Sequence, residues 1–342
     1  MGITISLDAM GGDHAPAAAV KGAVGFATEN PDVTLLLVGR SEELKKLLDA
    51  GTARPSANIE IIHAAEVVGM GDPPVESIKE KKDSSITRAV ELVHAGRAQA
   101  VVSGGNTGVL VAQATLGLKR IEGIKRPGII VPLPSEKGLI YLIDAGANPE
   151  SKPEYLFQHA IIGAIYCKCL TGRPRPVVGV LNIGTEEGKG NAVVQEAHRM
   201  LAALKAPLFE YRGFIEGTDL FSGAVDLVVT DGFVGNIAMK VAEGTAHSLF
   251  RMIKKEVTRT PIRKLGAGLL KGAFKDLKEY TSSETYGSAM VIGVNGITMK
   301  VHGSASARAF HNGLNSTLGL CRSDITARIR ESIQALDRGD AA

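Results

Sequence analysis

The residues best suited to chemistry in this chain are polar groups standing among glycines. Five stretches hold them: DAMGGDHAP (8–16), GGNTG (104–108), LIDAGAN (142–148), GTEEGKGN (184–191) and TDGFVGN (230–236). Glycine lets a backbone approach a ligand closely, and free N–H groups at a helix start attract anions. GGNTG has that form, with Asn106 and Thr107 adding side-chain donors, although a capped turn without a ligand accounts for the same residues. In DAMGGDHAP the carboxylates of Asp8 and Asp13 oppose a phosphate, which argues against a loop that only cradles anions. His14 can balance or orient them, but a lone histidine is more often structural.

GTEEGKGN invites comparison with a nucleotide P-loop and fails it. The spacing is one residue short, Gly190 stands where Ser or Thr would hold magnesium, and Glu186 and Glu187 oppose a triphosphate. Lys189, fenced by two glycines, packs against little, which leaves its ammonium free for chemistry. Asn236 opens the helical pattern NIAMKVAEG, with Lys240 one turn later; an asparagine there also serves as a cap. Other chemistries lack their residues. No GxGxxG follows a strand, no HExxH or ligand spacing suggests a metal, and no GxSxG elbow points to a serine hydrolase. No metal and no cofactor are expected, and a decarboxylating dehydrogenase is disfavoured by the missing dinucleotide fingerprint.

The elements that must position these groups are short β-rich runs alternating with helical patterns. Strands are expected at 3–7, 33–39, 58–64, 99–104, 128–133, 139–146, 176–184 and 226–232. Several are apolar without alternation, as in strands buried on both faces of a mostly parallel sheet. Ser41 with Glu42 and Glu43 suits a helix start, with Gly51 able to close it. Ser84 or Ser85 can cap a helix ending at Gly96, and Pro16 suits a first helical turn. The expectation is a single three-layer αβα, Rossmann-like domain over 1–342, with the five polar stretches at strand carboxyl ends, where such sheets bind ligands.

Composition agrees. The 342 residues are 44% apolar and 22% charged, so a disordered chain is excluded, and 4% aromatics without Trp leave the core to Val, Ile, Leu and Ala. A net charge of +3 with few aromatics leaves no nucleic-acid footprint. Three cysteines make no disulfide framework, the first lysine is Lys21, and no apolar run spans a bilayer; a cytoplasmic protein without a signal peptide is expected.

One segment is separate. In RTPIRKLGAGLLKGAFKDLK (259–278), Ile262, Leu265, Leu269, Ala273 and Leu277 recur at helical spacing, widened by Leu270 and Phe274. Six cations against Asp276 make the segment +5, so the remainder of the chain is −2. That suits a surface helix docking on anionic lipid or an acidic partner. The apolar stripe favours the bilayer, with Leu265, Leu269, Leu270, Lys271 and Phe274 as the contact.

On DAMGGDHAP, SGGNTG, DAGAN, VGVLNIGTEEGKGN, DLVVTDGFVGN and KVHGSA (300–305), the chain resembles the PlsX family of bacterial phosphate acyltransferases. The likeness runs from residue 8 to about 305 in the family's order. It implies a fold similar to isocitrate/isopropylmalate dehydrogenases and phosphotransacetylases. It also implies transfer of a long-chain acyl group from acyl carrier protein to orthophosphate, giving acyl phosphate for a glycerol-3-phosphate acyltransferase downstream. A homodimer that visits the inner face of the cell membrane is implied too. The family's functional lysine falls on Lys189 and its asparagine on Asn236. The substrate- and phosphate-binding set expected around them is Asp8, Gly11, Gly12, His14, Gly105, Asn106, Thr107, Asn148 and Asn182.

Overall fold

The computed structural model describes residues 2–50, 57–204, 208–282, 284–286 and 288–338. Its strands are β1 (Ile3–Asp8), β2 (Val33–Gly39), β3 (Ile59–His63), β4 (Ala100–Ser103), β5 (Gly128–Ser135), β6 (Gly138–Ile143), β7 (Val177–Leu181), β8 (Glu210–Ile215), β9 (Leu227–Val229), β10 (Ala289–Ile292) and β11 (Ile297–Lys300). The helices are α1 (Ala17–Glu29), α2 (Ser41–Asp49), α3 (Pro74–Glu80), α4 (Ser85–His94), α5 (Thr107–Gln113), α6 (Pro153–Thr171), α7 (Ala192–Ala203), α8 (Gly232–Val257), α9 (Pro261–Leu269), α10 (Lys271–Thr281), α11 (Ala307–Ser323) and α12 (Ile325–Asp337).

All eight expected strands are present, though those at 139–146, 176–184 and 226–232 stop short, at Ile143, Leu181 and Val229. The trimmed residues are the polar loops themselves. Strands β8, β10 and β11 were not expected from pattern. EYRGFI is charged and interrupted by Gly213, and AMVI and ITMK have four residues each, too few to show a period. Pro16 precedes α1 rather than opening it, and α5 begins at Thr107, within the GGNTG stretch itself. The helix expected from Ser41 is α2; its expected closure at Gly51 lies outside the described residues.

The strands form one sheet in the order β3-β2-β1-β4-β11-β10-β5-β6-β9-β7-β8. Side chains alternate between its faces. Ile5, Leu7, Leu35, Leu37 and Val102 pack with α1, α6 and α11 on one side. Leu36, Val38, Val101, Ile129, Val131 and Leu133 pack with α4 and α5 on the other. Helices therefore cover both faces, which makes the three layers.

The sheet is mixed rather than nearly parallel. Contacts β11–β10, β10–β5 and β5–β6 are antiparallel, so β6, β9, β7 and β8 run opposite to β1, β2, β3, β4 and β11. The five polar stretches do follow strand carboxyl ends, as expected, but the mixed sheet does not put them along one edge. Those after β1 and β4 leave one edge of the sheet, and those after β6, β7 and β9 leave the opposite edge. They meet instead over the face of β5, where Ile129, Val131 and Leu133 floor a cleft of ≈ 1810 Å³.

The basic segment is also reorganised. One helix was expected across 259–278; the chain makes two, α9 and α10, broken at Leu270. Neither helix has a buried residue. Leu265, Leu269 and Leu270 are 72%, 84% and 57% exposed, Lys271 is exposed and Phe274 is half-buried. The far end of α10 is tied to the body by the Arg308–Glu279 ion pair at 2.8 Å and by the Tyr280 hydroxyl donating to the Ser135 carbonyl.

Candidate active site

At one end of the cleft three loops are stitched together from below. Asp8, fully buried at the end of β1, accepts a hydrogen bond from the Ser103 hydroxyl of β4 at 2.6 Å and one from the Met10 amide. Burial raises its carboxyl above the ordinary carboxylate range. Asp8 thus joins two strands beneath the site and does not line the cleft. A Cβ on Gly11 would lie 2.4 Å from the Asp8 Oδ2 and 2.6 Å from the Gly105 amide, so the two loops pack backbone on backbone. Gly12 takes a φ of +112°, and the next amide, of Asp13, donates to the Gly303 carbonyl at 2.7 Å, adding the loop after β11.

The polar side chains expected here divide into committed and free. Asn106 caps α5 by accepting from the Val109 amide at 3.2 Å, and its amide donates to the Met70 and Asp72 carbonyls at 2.9 and 3.0 Å. The capped-turn reading describes that side chain. Thr107, next along, is exposed and lines the cleft. His14 is exposed and lies outside the lining.

At the other end the organiser is Asp144, which pattern reading passed over. Buried at the end of β6, it accepts from the amides of Ile129, Gly146, Ala147 and Asn148 and from the Asn148 side chain, at 2.8–3.1 Å. The Asn148 amide also donates to the Pro127 carbonyl, so Asn148 shapes the loop. Asn182 does the same for the next loop, donating to the Gly184 and Lys189 carbonyls at 3.0 and 3.1 Å. Asn191 caps α7 through the Val194 amide.

Two groups remain uncommitted. Asn236 sits in the first turns of α8, whose cap is Asp231, accepting from the Val234 amide at 2.9 Å. Asn236 therefore is not the cap; it packs against Gly146, lines the cleft and has no hydrogen-bond partner among the described residues. Lys189 is exposed between Gly188 and Gly190, whose φ values are +92° and +90°, and makes no ion pair among the described residues. It lies outside the cleft lining, one residue from Gly190 and Asn191, which are part of it. The lysines of the lining are Lys240 and Lys300, neither of them in the expected set. Lys300 carried a signal, since KVHGSA begins with it. The rest of the lining is largely apolar, with Val111, Ile129, Val131, Leu133, Ile237 and Val241 among it.

Residues 3–328 match the model of a family described as fatty acid synthesis protein. The chain belongs to that family. The fatty acid synthesis protein relatives include a phosphate acyltransferase of Desulfitobacterium hafniense, 43% identical over 330 residues, covering 96% of this chain and 97% of that one. A phosphate acyltransferase of Halalkalibacterium halodurans is 41% identical over 337 residues, covering 98% of each. A phosphotransacetylase structure from Streptococcus pyogenes superposes with a TM-score of 0.64 at 18% identity, covering 94% of each chain. At that identity the likeness speaks for the fold, and it bears out the three-layer α/β architecture.

Proposed function

We propose that this acyltransferase moves a long-chain acyl group from acyl carrier protein to orthophosphate, giving acyl phosphate for phospholipid synthesis. The observation that carries the reading is a single cleft that joins an apolar floor on β5 to glycine loops and to the unpartnered amide of Asn236. An acyl chain fits the floor, and a phosphate and thioester carbonyl fit the loops.

The chemistry needs little more than placement. Orthophosphate is largely dianionic near neutral pH, so its oxygen must be positioned rather than deprotonated. That oxygen forms a bond to the thioester carbon, and the carbonyl electrons move onto oxygen. The oxyanion is held by preorganised donors, for which Asn236, Lys189 and loop amides are the candidates. Its collapse breaks the C–S bond and releases the carrier's thiolate, a far better leaving group than an alkoxide because thiols are the stronger acids. The product is a mixed anhydride, itself an activated donor for an acyltransferase acting on glycerol 3-phosphate.

Purified protein given palmitoyl-acyl carrier protein and phosphate, without metal or nucleotide, is expected to release free carrier and hydroxylamine-trappable acyl phosphate together. No phosphate-dependent release rejects the reaction. Equal or faster turnover with palmitoyl-CoA rejects the carrier protein as the particular donor, the alternative that a phosphotransacetylase-like fold raises.

The proposal extends to a homodimer working against the inner membrane face. Support comes from unpartnered apolar side chains: Phe233, Leu249 and Met252 on α8, and Leu265, Leu269 and Leu270 on α9 and at its break with α10. No described helix is long and apolar enough to cross a membrane. The +5 charge of 259–278 beside exposed leucines suits a lipid surface. Leu270→Glu is expected to release the protein from anionic vesicles in a sedimentation assay while turnover of soluble substrate stays within about twofold. Unchanged sedimentation would reject this contact, since a carboxylate at the break between α9 and α10 cannot enter the interface cheaply.

A further inference from the structure

Lys300 ends β11, the strand inserted between β4 and β10 in the middle of the sheet. It stands in register with Ser103 on one side and Ala289 on the other. Only 9% of it is exposed, and it reaches the cleft beside Thr107, His302 and Gly303. Its ammonium donates to the Gly104 carbonyl at 3.2 Å and to the Val301 carbonyl. An ammonium has three N–H donors, so two neutral carbonyls leave one unmatched. No carboxylate forms an ion pair with it among the described residues; Asp8, itself shifted toward its neutral form by burial, and Asp13 act on it only through space.

Such an arrangement is costly to leave empty. A buried cation without a paired anion loses hydration that carbonyl dipoles only partly replace. Burial brings the Lys300 ammonium down to about 8 despite the two aspartates. Lys240 lines the same cleft but is exposed, and Lys189 stands outside it, so neither supplies a fixed buried charge.

We propose that Lys300 is the fixed cation of the phosphate site, its third N–H donating to an oxygen of bound orthophosphate at the end of β11. This rests on the reaction proposed above and assigns its phosphate subsite to the β1–β4–β11 end of the cleft. Lys189 then serves the transition state, while Lys300 serves phosphate binding.

The two roles separate kinetically. Lys300→Met is expected to raise KM for phosphate by about tenfold or more, leaving KM for the acyl donor within about twofold. A purely structural lysine would lower the melting temperature and leave KM for phosphate within twofold of wild type, and that result overturns the proposal. Wild-type protein supplies a test that requires no variant. Calorimetric titration with inorganic phosphate across pH 7–9 should show affinity falling about tenfold as the ammonium deprotonates, because phosphate itself stays dianionic over the upper part of that range. The groups that share its surroundings are Asp8 and Asp13 from the β1 side and His302 beyond β11. A profile still flat when the titration is carried up to pH 10.5, where even an ordinary lysine is half deprotonated, overturns the proposal. If wild type binds phosphate with the falling profile but makes no acyl phosphate, the reaction is wrong and the anion site stands. If wild type turns over and Lys300→Met leaves KM for phosphate unchanged, the site alone is wrong.

Discussion

Lys189→Ala is expected to lower turnover by about 10²-fold or more with no loss of stability. The magnitude is that of removing one preorganised donor to a developing oxyanion, about 3–4 kcal/mol. The absence of a stability effect follows from geometry. The side chain is exposed and has no ion pair among the described residues, and the loop it rides on is held by Asn182 through backbone carbonyls that alanine retains. The measurement is kcat from hydroxylamine-trapped product beside a thermal melt. A kcat within a few-fold of wild type removes Lys189 from the transition state. A large loss of melting temperature would mean that the loop, not the ammonium, is what the substitution damages.

Gly235→Ala is expected to be nearly as severe and for the opposite reason, since it adds atoms where none fit. A Cβ at this position would lie 2.0 Å from the Asp144 carbonyl oxygen and 3.0 Å from the Thr230 side chain. Both are held: Asp144 by five hydrogen bonds through its carboxylate, and Thr230 by backbone pairing to Ile143 and Asp144. The start of α8 must therefore move, and Asn236, the next residue, moves with it. A displacement of about 1 Å at a positioning group costs about 10²-fold in rate, and overpacking adds about 1–3 kcal/mol of destabilisation. Wild-type kcat and melting temperature in this variant would mean that α8 adjusts freely, and that Asn236 needs no fixed position for the reaction.

These two predictions differ in how far local pattern reaches. The exposure of Lys189 was legible, because glycines on both sides leave its side chain little to pack against. Gly235 was not, because its constraint is the carbonyl of Asp144, some ninety residues earlier, brought close by the pairing of β6 with β9. The amides split in the same way. Asn106, Asn148 and Asn182 have the residue type of ligand donors, and the folded chain spends them on carbonyls of neighbouring loops. Only Asn236, with no partner among the described residues, keeps its donors for the cleft. Whether an amide is free depends on every carbonyl within 3 Å of it, and that is a property of the packed loops.

The sequence by itself determined the eight strands that carry continuous apolar runs and the helix that starts at Ser41. Continuous Val, Ile and Leu runs between glycine-rich turns can be satisfied only by burial on both faces, a local requirement written in consecutive residues. It also determined the family, through motifs spread over nearly the whole chain. The tertiary structure alone decided assembly. The short connections 136–137 and 293–296 make β5–β6 and β10–β11 antiparallel hairpins, but the seating of β10 against β5 depends on pairing such as Met290 with Ile130, residues far apart in the chain, which no residue type specifies. That choice sends the five polar loops to opposite edges and gathers them again over one strand. It also buries Lys300, on a four-residue strand too short to show a pattern, in the middle of the sheet, where its ammonium has no ion-pair partner among the described residues.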